Sequence, residues 1–545
     1  MSDDPPILTS ASGWDDLRLH ASRAAIEAIL PAYIHPRRWF GAKSRQIASA
    51  RIVEALPIET SAGPSWLMLV RLTYADGAAD TYALPLASAA GDVAERLRAE
   101  TPHAILAGAP GERVLFDASF APAFCQALLD MIASRRTIEG EAGELCATTT
   151  SAFARLRGAT PLEPSVGKAE QSNTSIIYGD RLIMKLFRKL EPGLNPDLEI
   201  GRFLTERGAF EHIPPLAGAI EYRAGGDTIG LALLQGFVPN RGDAWRYTIE
   251  TLARWFERAL AAGAGAPPAE TRAAPMLDLA SQEPPPAARE LISGYLASAE
   301  LLGRRTAELH LALSADASDP DFAPEPWAEQ DRRAVYETMR RRAEHSFQIL
   351  RHALGGLSAP AQPGAQQVLD RESAIFDRLQ SALDRPIEAA RTRIHGDYHL
   401  GQVLYTGSDF FIIDFEGEPA RPLSERRSKS SPLQDVAGML RSFHYAPYAV
   451  LLGQAPGVAF RDADVAALEP WARYWQRWVG AAFLRSYLAT AGGAPFLPAS
   501  RGDLQGLLDA YLLDKAVYEL AYELNNRPTW VRIPVEGILQ LVARG

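Results

Sequence analysis

The sequence predicts an α+β protein in three successive parts: a small α+β cap, a mainly β lobe and a large helical lobe. Three observations predict this class. Short β-branched and aromatic runs, punctuated by Gly- and Asp-containing turns, fill Phe153 to Val238. After Pro239 the apolar spacing changes to that of long helices. The 545 residues, 47% hydrophobic and 22% charged, are globular material for two or three cores. The expected parts are a cap over 1–135, a β-rich lobe over 136–240 and a helical lobe over 241–545. Two lobes of unlike composition imply a cleft, where ligands commonly sit.

In the cap, a helical segment near Trp14 to Ile29 precedes the strand "RIVEALPIE". "WLMLVRLTYADGAADTYALPLA" then reads as two strands joined at Ala75-Asp76-Gly77. In the next part, "SIIYGDRLIMKLF" is a hairpin with Gly179-Asp180 at its tip. "NPDLEIGRFLTERG" is a helix with Asn195 as N-cap, Pro196 in the first turn and an end near Gly208. "AIEYRAGGDTIGLALLQGFV" gives two further strands around Gly225-Gly226-Asp227. In the helical part, the Ala- and Pro-rich stretch near 262–288 reads as a mobile insertion.

The formal charge of −10 argues against a nucleic-acid partner. "RRWFGAKSR" (Arg37 to Arg45) is one short basic and aromatic patch in an acidic chain, better read as packing of the cap. Two cysteines, Cys125 and Cys146, are too few for a disulfide framework and point to a reducing cytoplasm. The acidic "MSDDPPILTS" lacks the pattern of a signal peptide, and no apolar run approaches a bilayer span, so no membrane partner is expected.

Chemistry concentrates in "HGDYHLGQVLYTGSDFFIIDFEGE" (His395 to Glu418). Gln402 to Tyr405 and Phe410 to Ile413 read as a hairpin turning through Thr406 to Asp409. Its open end would place Gln402 opposite Asp414, with Asp397 close by on the entering loop. An amide oxygen and carboxylates suit Mg²⁺, which binds alongside phosphates. A phosphate site is expected from "GKAEQSNTS" (Gly167 to Ser175), a polar loop whose Ser172, Asn173 and Thr174 enter the strand hairpin. Lys185 sits mid-strand on a half-buried face, where an ammonium needs a partner, and Glu199 on the next helix is the expected one. Phosphate loop, strand lysine, helix glutamate, Asp-x-x-x-x-Gln and a later Asp-Phe follow the order of the kinase template, with Gln402 in place of Asn. In those roles Asp397 takes the acceptor's proton, Gln402 and Asp414 hold Mg²⁺, and Lys185 meets the phosphates of ATP. His395 and His399 lack a third ligand for a metal, and His395 reads as a hydrogen-bonded strut. Asp435, on an apolar helix, is expected to brace the loop backbone; "SERRSKSS" (Ser424 to Ser431) could meet phosphates or order a loop near the cleft, though such a charge run is usually just solvated.

"HGDYHLGQ" resembles the catalytic loop of the aminoglycoside phosphotransferase-like kinases. A wider resemblance, carried by "RRWFGAKSR", "EQSNTS", "NPDLEIGRFLTE", "HGDYHLGQVL", "IDFEGEPARPL", "SPLQDVAGMLRSF" and "YELAYELNNRPTWVRIP", is to bacterial maltokinase, most of all the maltokinase moiety fused to trehalose synthase. It implies a bilobal protein-kinase-like fold. It also implies phosphorylation of maltose at C1 with ATP and Mg²⁺, a place in α-glucan (glycogen) synthesis and a possible trehalose synthase partner. By the same resemblance Lys185 and Glu199 pair in the ATP lobe, and the connector at Gln235, Phe237 and Val238 meets adenine. The absence of a G-x-G-x-x-G loop and the presence of Gln402 and Glu416 separate the chain from protein kinases.

The acceptor site is less determined by sequence. Tyr511, Lys515, Tyr518, Glu519 and Tyr522 share one face of a C-terminal helix, which suits a disaccharide. A helix whose tyrosines fill core and whose charges are solvated has the same pattern. His399, Glu416 and Arg421 flank the metal residues as further acceptor contacts, with Glu416 and Glu418 open to either metal or sugar. Glucosamine, another sugar or an aminoglycoside are alternative acceptors on the same machinery. A silent nucleotide-binding scaffold is the non-enzymatic alternative, against which the complete set of Lys185, Glu199, Asp397, Gln402 and Asp414 speaks.

Overall fold

The computed structural model describes residues 6, 8, 20–109, 111–167, 172–208, 210–261, 267 and 274–543. They divide into two compact units, Met1–Pro239 and Asn240–Gly545. Each is taken by itself.

The first unit is built on two antiparallel sheets. One comprises β1 (Ile47–Thr60), β2 (Gly63–Tyr74), β3 (Ala79–Ala89), β4 (Ile105–Ala109) and β5 (Arg113–Asp117), in the order β1-β2-β3-β5-β4. The helix His20–Ile34 lays Ile26, Leu30 and Ile34 on it, all wholly buried, because that i, i+4, i+8 spacing makes a single apolar face. The helix expected from Trp14 thus runs from His20 through Ile34, and 14–19 lie outside the described residues. Trp39 and Phe40 of the basic patch are buried in the same core, as packing of the cap requires.

The second sheet comprises β6 (Thr137–Glu139), β7 (Glu144–Thr149), β8 (Pro164–Val166), β9 (Asn173–Tyr178), β10 (Leu182–Phe187), β12 (Leu216–Ala224) and β13 (Asp227–Gly236), in the order β6-β7-β12-β13-β10-β9-β8. The two-residue strand β11 (Lys189–Leu190) follows β10 and pairs with β3, so one chain segment joins both sheets. Arg188, between them, is 1% exposed and meets Asp117 at 2.7 Å, Ser119 Oγ at 2.8 Å and Thr174 Oγ1 at 2.8 Å, with Trp39 under its guanidinium. A buried guanidinium is tolerated because its charge is paired and its Nε and Nη2 are bonded.

The second unit is mostly helical. Its long helices include Ala244–Ala261, Gly294–Leu313, Glu329–Ala353, Leu433–Leu451, Asp462–Ala491 and Arg501–Asn526. Gly303 lets Gly294–Leu313 approach Asp462–Ala491 closely: a Cβ there would stand 2.2 Å from the Phe483 carbonyl oxygen. Every residue of Leu433–Leu451 except Gln434 is buried, so this helix forms the axis of the unit. Two small sheets complete it: β14 (Glu325–Pro326) with β15 (Ala390–Arg391), and β16 (Val403–Tyr405) with β17 (Phe410–Ile412). The mobile insertion expected near 262–288 is corrected in its second half. Residues 276–280 form a helical turn with Met276, Leu277 and Leu279 buried, whereas 262–266 and 268–273 lie outside the described residues. Among the described residues no helix is long and apolar enough to cross a membrane.

Candidate active site

The β16–β17 hairpin pairs Val403 with Ile412, Leu404 with Phe411 and Tyr405 with Phe410. The Ile413 N–H donates to the Gln402 carbonyl (3.0 Å), and at the open end Gln402 Nε2 donates to Asp414 Oδ2 at 2.9 Å. Asp414 has φ of 68°, a left-handed conformation that Asp tolerates better than most residues and that turns the chain abruptly after the strand. The hairpin is fixed at both margins. Arg241 N–H donates to the Tyr405 carbonyl, Tyr405 N–H to that of Gly242, and Arg305 grips the Asp409 carboxylate with two nitrogens at 3.0 and 2.7 Å.

The loop entering the hairpin is held from the buried axial helix by residues at i, i+3 and i+7. Asp435, 1% exposed, accepts from the His395 N–H (2.7 Å) and the Gly396 N–H (2.9 Å), and its Oδ2 lies 3.1 Å from His310 Nε2. Gly438 faces the Tyr398 carbonyl, where a Cβ would be 2.5 Å away. Ser442 Oγ accepts from the Leu400 N–H at 3.2 Å. Burial alone would raise the Asp435 carboxyl, but the His310 hydrogen bond and the neighbouring positive ends outweigh it and hold it below the usual carboxylate range. Asp435 therefore braces the loop as its sequence position led us to expect. His395, 1% exposed, is a strut: Nδ1 accepts from the Asp397 N–H at 3.4 Å and Nε2 donates to the Ile413 carbonyl at 2.9 Å.

Asp397 is thus presented on a rigid loop. Its Oδ1 lies 3.5 Å from Lys515 Nζ and its Oδ2 3.9 Å from His399 Nε2. His399 Nδ1 accepts from the Gly401 N–H at 3.0 Å, which assigns the ring proton to Nε2, on the side of Asp397. Desolvation, against the opposing pull of Asp397, lowers His399 from its ordinary range, which favours the neutral ring. Lys515 also stands over the Tyr518 ring, 5.0 Å from its centroid, and Tyr518 stacks with the exposed Tyr522 at 6.5 Å.

Beside the loop, at Gly396 and Gly417, opens a cavity of about 360 Å³. Tyr511 and Asp514 of the Arg501–Asn526 helix line it, as do Thr338 and Asp331 of Glu329–Ala353 and the 417–430 segment with Glu418, Arg421 and Lys429. Of the two readings of Ser424 to Ser431, the ordered segment holds and the solvated run does not. Lys429 is 7% exposed at its side chain and bonded to Glu325 at 2.7 Å and to the Pro320 carbonyl, while Arg426 donates to the carbonyls of Glu416 and Arg421. The run folds back to wall the cavity.

Of the sequence-derived acceptor residues, Arg421 and Tyr511 line this cavity, and Lys515 and His399 approach Asp397. Glu519 is instead paired with Arg441 (2.9 and 2.6 Å). Tyr511 is 4% exposed, and burial pushes its hydroxyl up to about 12. Sequence reasoning missed Asp514, Arg342, Asp331 and Arg391, which come from helices and a strand remote in the chain.

In the first unit, Lys185 Nζ meets Asp197 Oδ2 at 3.3 Å, a partner in the first helical turn not anticipated beside Glu199. Asn195 caps that helix by accepting from the Asp197 and Leu198 N–H groups, and Gly208 ends it in the left-handed conformation. Asn173 and Thr174 begin β9, paired with Phe187 and Leu186, and Ser172 just before them is exposed. Residues 168–171 of the expected phosphate loop lie outside the described residues. In the connector, Gln235 pairs with Ile183, and the Phe237 N–H donates to the Arg181 carbonyl at 2.8 Å. The Phe237 amide is thus engaged within the unit, and Val238 is 9% exposed.

Residues 33–120 match the maltokinase N-terminal cap domain. The first unit carries a maltokinase-type cap. The chain is also similar to a glucosamine kinase of Streptacidiphilus jiangxiensis, 26% identical over 420 residues that cover 72% of this chain and 80% of that one. It is also similar to a glucosamine kinase of Mycolicibacterium smegmatis, 25% identical over 382 residues covering 69% and 79%. Among solved structures, a glucosamine kinase in complex with glucosamine, ADP and inorganic phosphate superposes with a TM-score of 0.58 at 18% identity, over 94% of this chain and 96% of that one. A second crystal form of a glucosamine kinase gives 0.61 at 19% identity, over 94% and 99%. At this identity the likeness establishes a shared fold: the maltokinase-type cap stands on the kinase-like architecture of the glucosamine kinases.

Proposed function

We infer that the chain is an ATP-dependent sugar kinase that transfers the γ-phosphoryl group of ATP to the C1 hydroxyl of maltose, giving maltose 1-phosphate and ADP. The bond from the γ-phosphorus to the ADP oxygen breaks, the C1 oxygen bonds to that phosphorus, and the C1 hydroxyl proton passes to Asp397. Asp397 is the base because its loop is braced and its carboxylate lies between Lys515 and His399. Lys185, steadied by Asp197 and supported by Glu199, is assigned to the ATP phosphates. Gln402 and Asp414 offer an amide oxygen and a carboxylate, the hard-oxygen set that Mg²⁺ takes. When bound there, Mg²⁺ neutralises phosphate charge.

The charge balance of the cavity carries the choice of a neutral acceptor. Asp331, Glu418, Glu425 and Asp514 are matched by Arg391, Arg421, Arg426 and Lys429. Several are already paired: Glu418 with Arg421 at 2.8 Å, Asp331 with Arg391 at 3.0 Å, and Asp514 with Arg342. An ammonium-bearing acceptor needs surplus negative charge, whereas hydroxyls are served by ion pairs that both donate and accept. The names of the relatives favour glucosamine as the second reading. A trehalose synthase partner, as a source of maltose, belongs to the first.

The test is ADP release from ATP and Mg²⁺ with maltose, glucose, glucosamine, trehalose and kanamycin, with Asp397→Asn beside the parent. Turnover with maltose, reduced about 10²- to 10⁴-fold in the variant, is expected. Turnover with glucosamine and none with maltose overturns the acceptor and keeps the mechanism.

A further inference from the structure

Besides the β11 pairing, two buried polar junctions hold the cap sheet to the second sheet of the same unit. At one, Glu54 of β1, 1% exposed, accepts from the N–H groups of Glu141 and Ala142 at 3.1 and 2.8 Å and from the Tyr222 hydroxyl at 2.9 Å. Those partners lie on the turn between β6 and β7 and on β12, toward one edge of the sheet. At the other, toward the opposite edge, Arg188 directly follows β10, the strand that carries Lys185. Its Nη2 meets Asp117 Oδ2 at 2.7 Å and Ser119 Oγ at 2.8 Å, its carbonyl accepts from the Ala83 N–H at 2.8 Å, and its Nε donates to Thr174 Oγ1 at 2.8 Å. Asp117 is held in turn, because its Oδ1 accepts from the Ser119 N–H at 3.0 Å and from the Ser119 hydroxyl at 2.7 Å.

Thr174 is the second residue of β9 and stands opposite Leu186, while its neighbour Ser175 stands opposite Lys185. A β-branched side chain has few χ1 rotamers, so a cationic donor that holds its oxygen also holds the backbone that carries it. The planar guanidinium keeps Asp117 and Thr174 at a fixed separation, which a lysine ammonium would not. We propose that Arg188 is a positioning residue for ATP: it fixes Thr174, and with it the start of β9 beside Lys185, against the corner formed by Asp117 and Ser119. This deepens, and rests on, the reading that Lys185 and the 167–175 stretch meet the phosphates of ATP. The Glu54 junction lies across β13 from β10, so it ties the same two sheets together without touching the lysine strand.

The experiment uses the full chain. Kd for ATP with Mg²⁺ is measured by equilibrium titration, which does not depend on the acceptor, and thermal unfolding is followed beside it. The proteins are the parent, Asp117→Asn, Thr174→Val, their double variant, Thr174→Ser and Glu54→Gln. Asp117→Asn and Thr174→Val are each expected to weaken ATP about tenfold, and the double variant no more than about twofold beyond either, because both break one chain of contacts. Thr174→Ser keeps the hydroxyl and is expected to bind ATP within about twofold of the parent. Glu54→Gln is expected to lower the melting temperature and leave Kd for ATP unchanged. Should Asp117→Asn not fold, Ser119→Ala removes another acceptor of Arg188 and is read in its place. Unchanged Kd for ATP in Asp117→Asn, or equal weakening in Glu54→Gln, overturns the positioning role while the kinase reading stands. Additive losses in the double variant overturn it as well, since Thr174 then acts on ATP without Arg188. A parent that binds no ATP overturns both.

Discussion

Replacing Asp435 by Asn tests how the catalytic loop is held. The carboxylate has three neighbours: Oδ2 receives the His395 N–H and lies beside His310 Nε2, and Oδ1 receives the Gly396 N–H. An amide can keep its oxygen only on one side. With that oxygen at the Oδ2 position, its NH₂ confronts the Gly396 N–H, so one charge-assisted bond is lost and a buried donor is orphaned. The sum is about 2–4 kcal/mol, since each effect is about 1–3 kcal/mol and they overlap. In a unit of this size that is a fall in melting temperature of roughly 3–6 °C. If the loop moves instead, a displacement of about 1 Å at Asp397 lowers kcat about a hundredfold with KM for ATP little changed. Thermal unfolding and steady-state ADP release on the same preparation distinguish the two. The sign with pH is fixed as well. The folded Asp435 carboxyl lies below its unfolded value, so its contribution is present above the ordinary carboxylate range and is lost as pH falls through the lowered one. The stability gap between parent and variant therefore closes in acid. A variant with melting temperature within about 1 °C and kcat within about twofold of the parent refutes the bracing role.

Further outcomes follow from the same geometry. Gly438→Ala places a methyl 2.5 Å from the Tyr398 carbonyl and should cost about 1–3 kcal/mol with loss of kcat. Gly506→Ala, in a helix with nothing within 4 Å of the new Cβ, should be neutral or stabilising by about 0.5–1 kcal/mol in the same unfolding assay. Lys185→Met leaves the buried Asp197 carboxylate without that ammonium and should raise KM for ATP at least about tenfold, read from an ATP titration at saturating sugar. Gln402→Leu should move the Mg²⁺ dependence of the rate to higher concentration at unchanged maltose KM; an unaltered Mg²⁺ titration removes Gln402 from the metal site.

Local elements were the legible part of the sequence. The β16–β17 hairpin and the Asn195-to-Gly208 helix are written in turn and cap residues a few positions apart, and they form where those residues require. The Lys185 partner was only half legible. Asp197 and Glu199 share the first turns of one helix, and periodicity does not say which carboxylate a neighbouring strand will meet. The bracing stripe was harder. A helix buried on all sides has no polar face, so its pattern gives no orientation, and only the cost of burying Asp435 marked one direction. Least legible were the cavity walls. Asp331, Arg391 and Asp514 are brought together by packing of helices far apart in the chain, and each reads alone as an ordinary surface charge. Arg188 with Asp117 is the same case in the first unit, a contact spanning both sheets.

The buried Leu433–Leu451 helix has a consequence for how such a chain can change. Almost nothing on it reaches solvent, and where it meets the loop at Gly438 two backbones are in direct contact. Substitutions there are paid for in the position of Asp397, whatever the sugar. The cavity, in contrast, is walled by Glu329–Ala353, Arg501–Asn526 and the 417–430 segment, whose residues can be exchanged without disturbing that contact. On the function proposed above, descendants of this scaffold should therefore diverge in acceptor through those outer walls while inheriting the axial helix intact, so that a new sugar preference arises by renovation of the periphery around an unaltered centre.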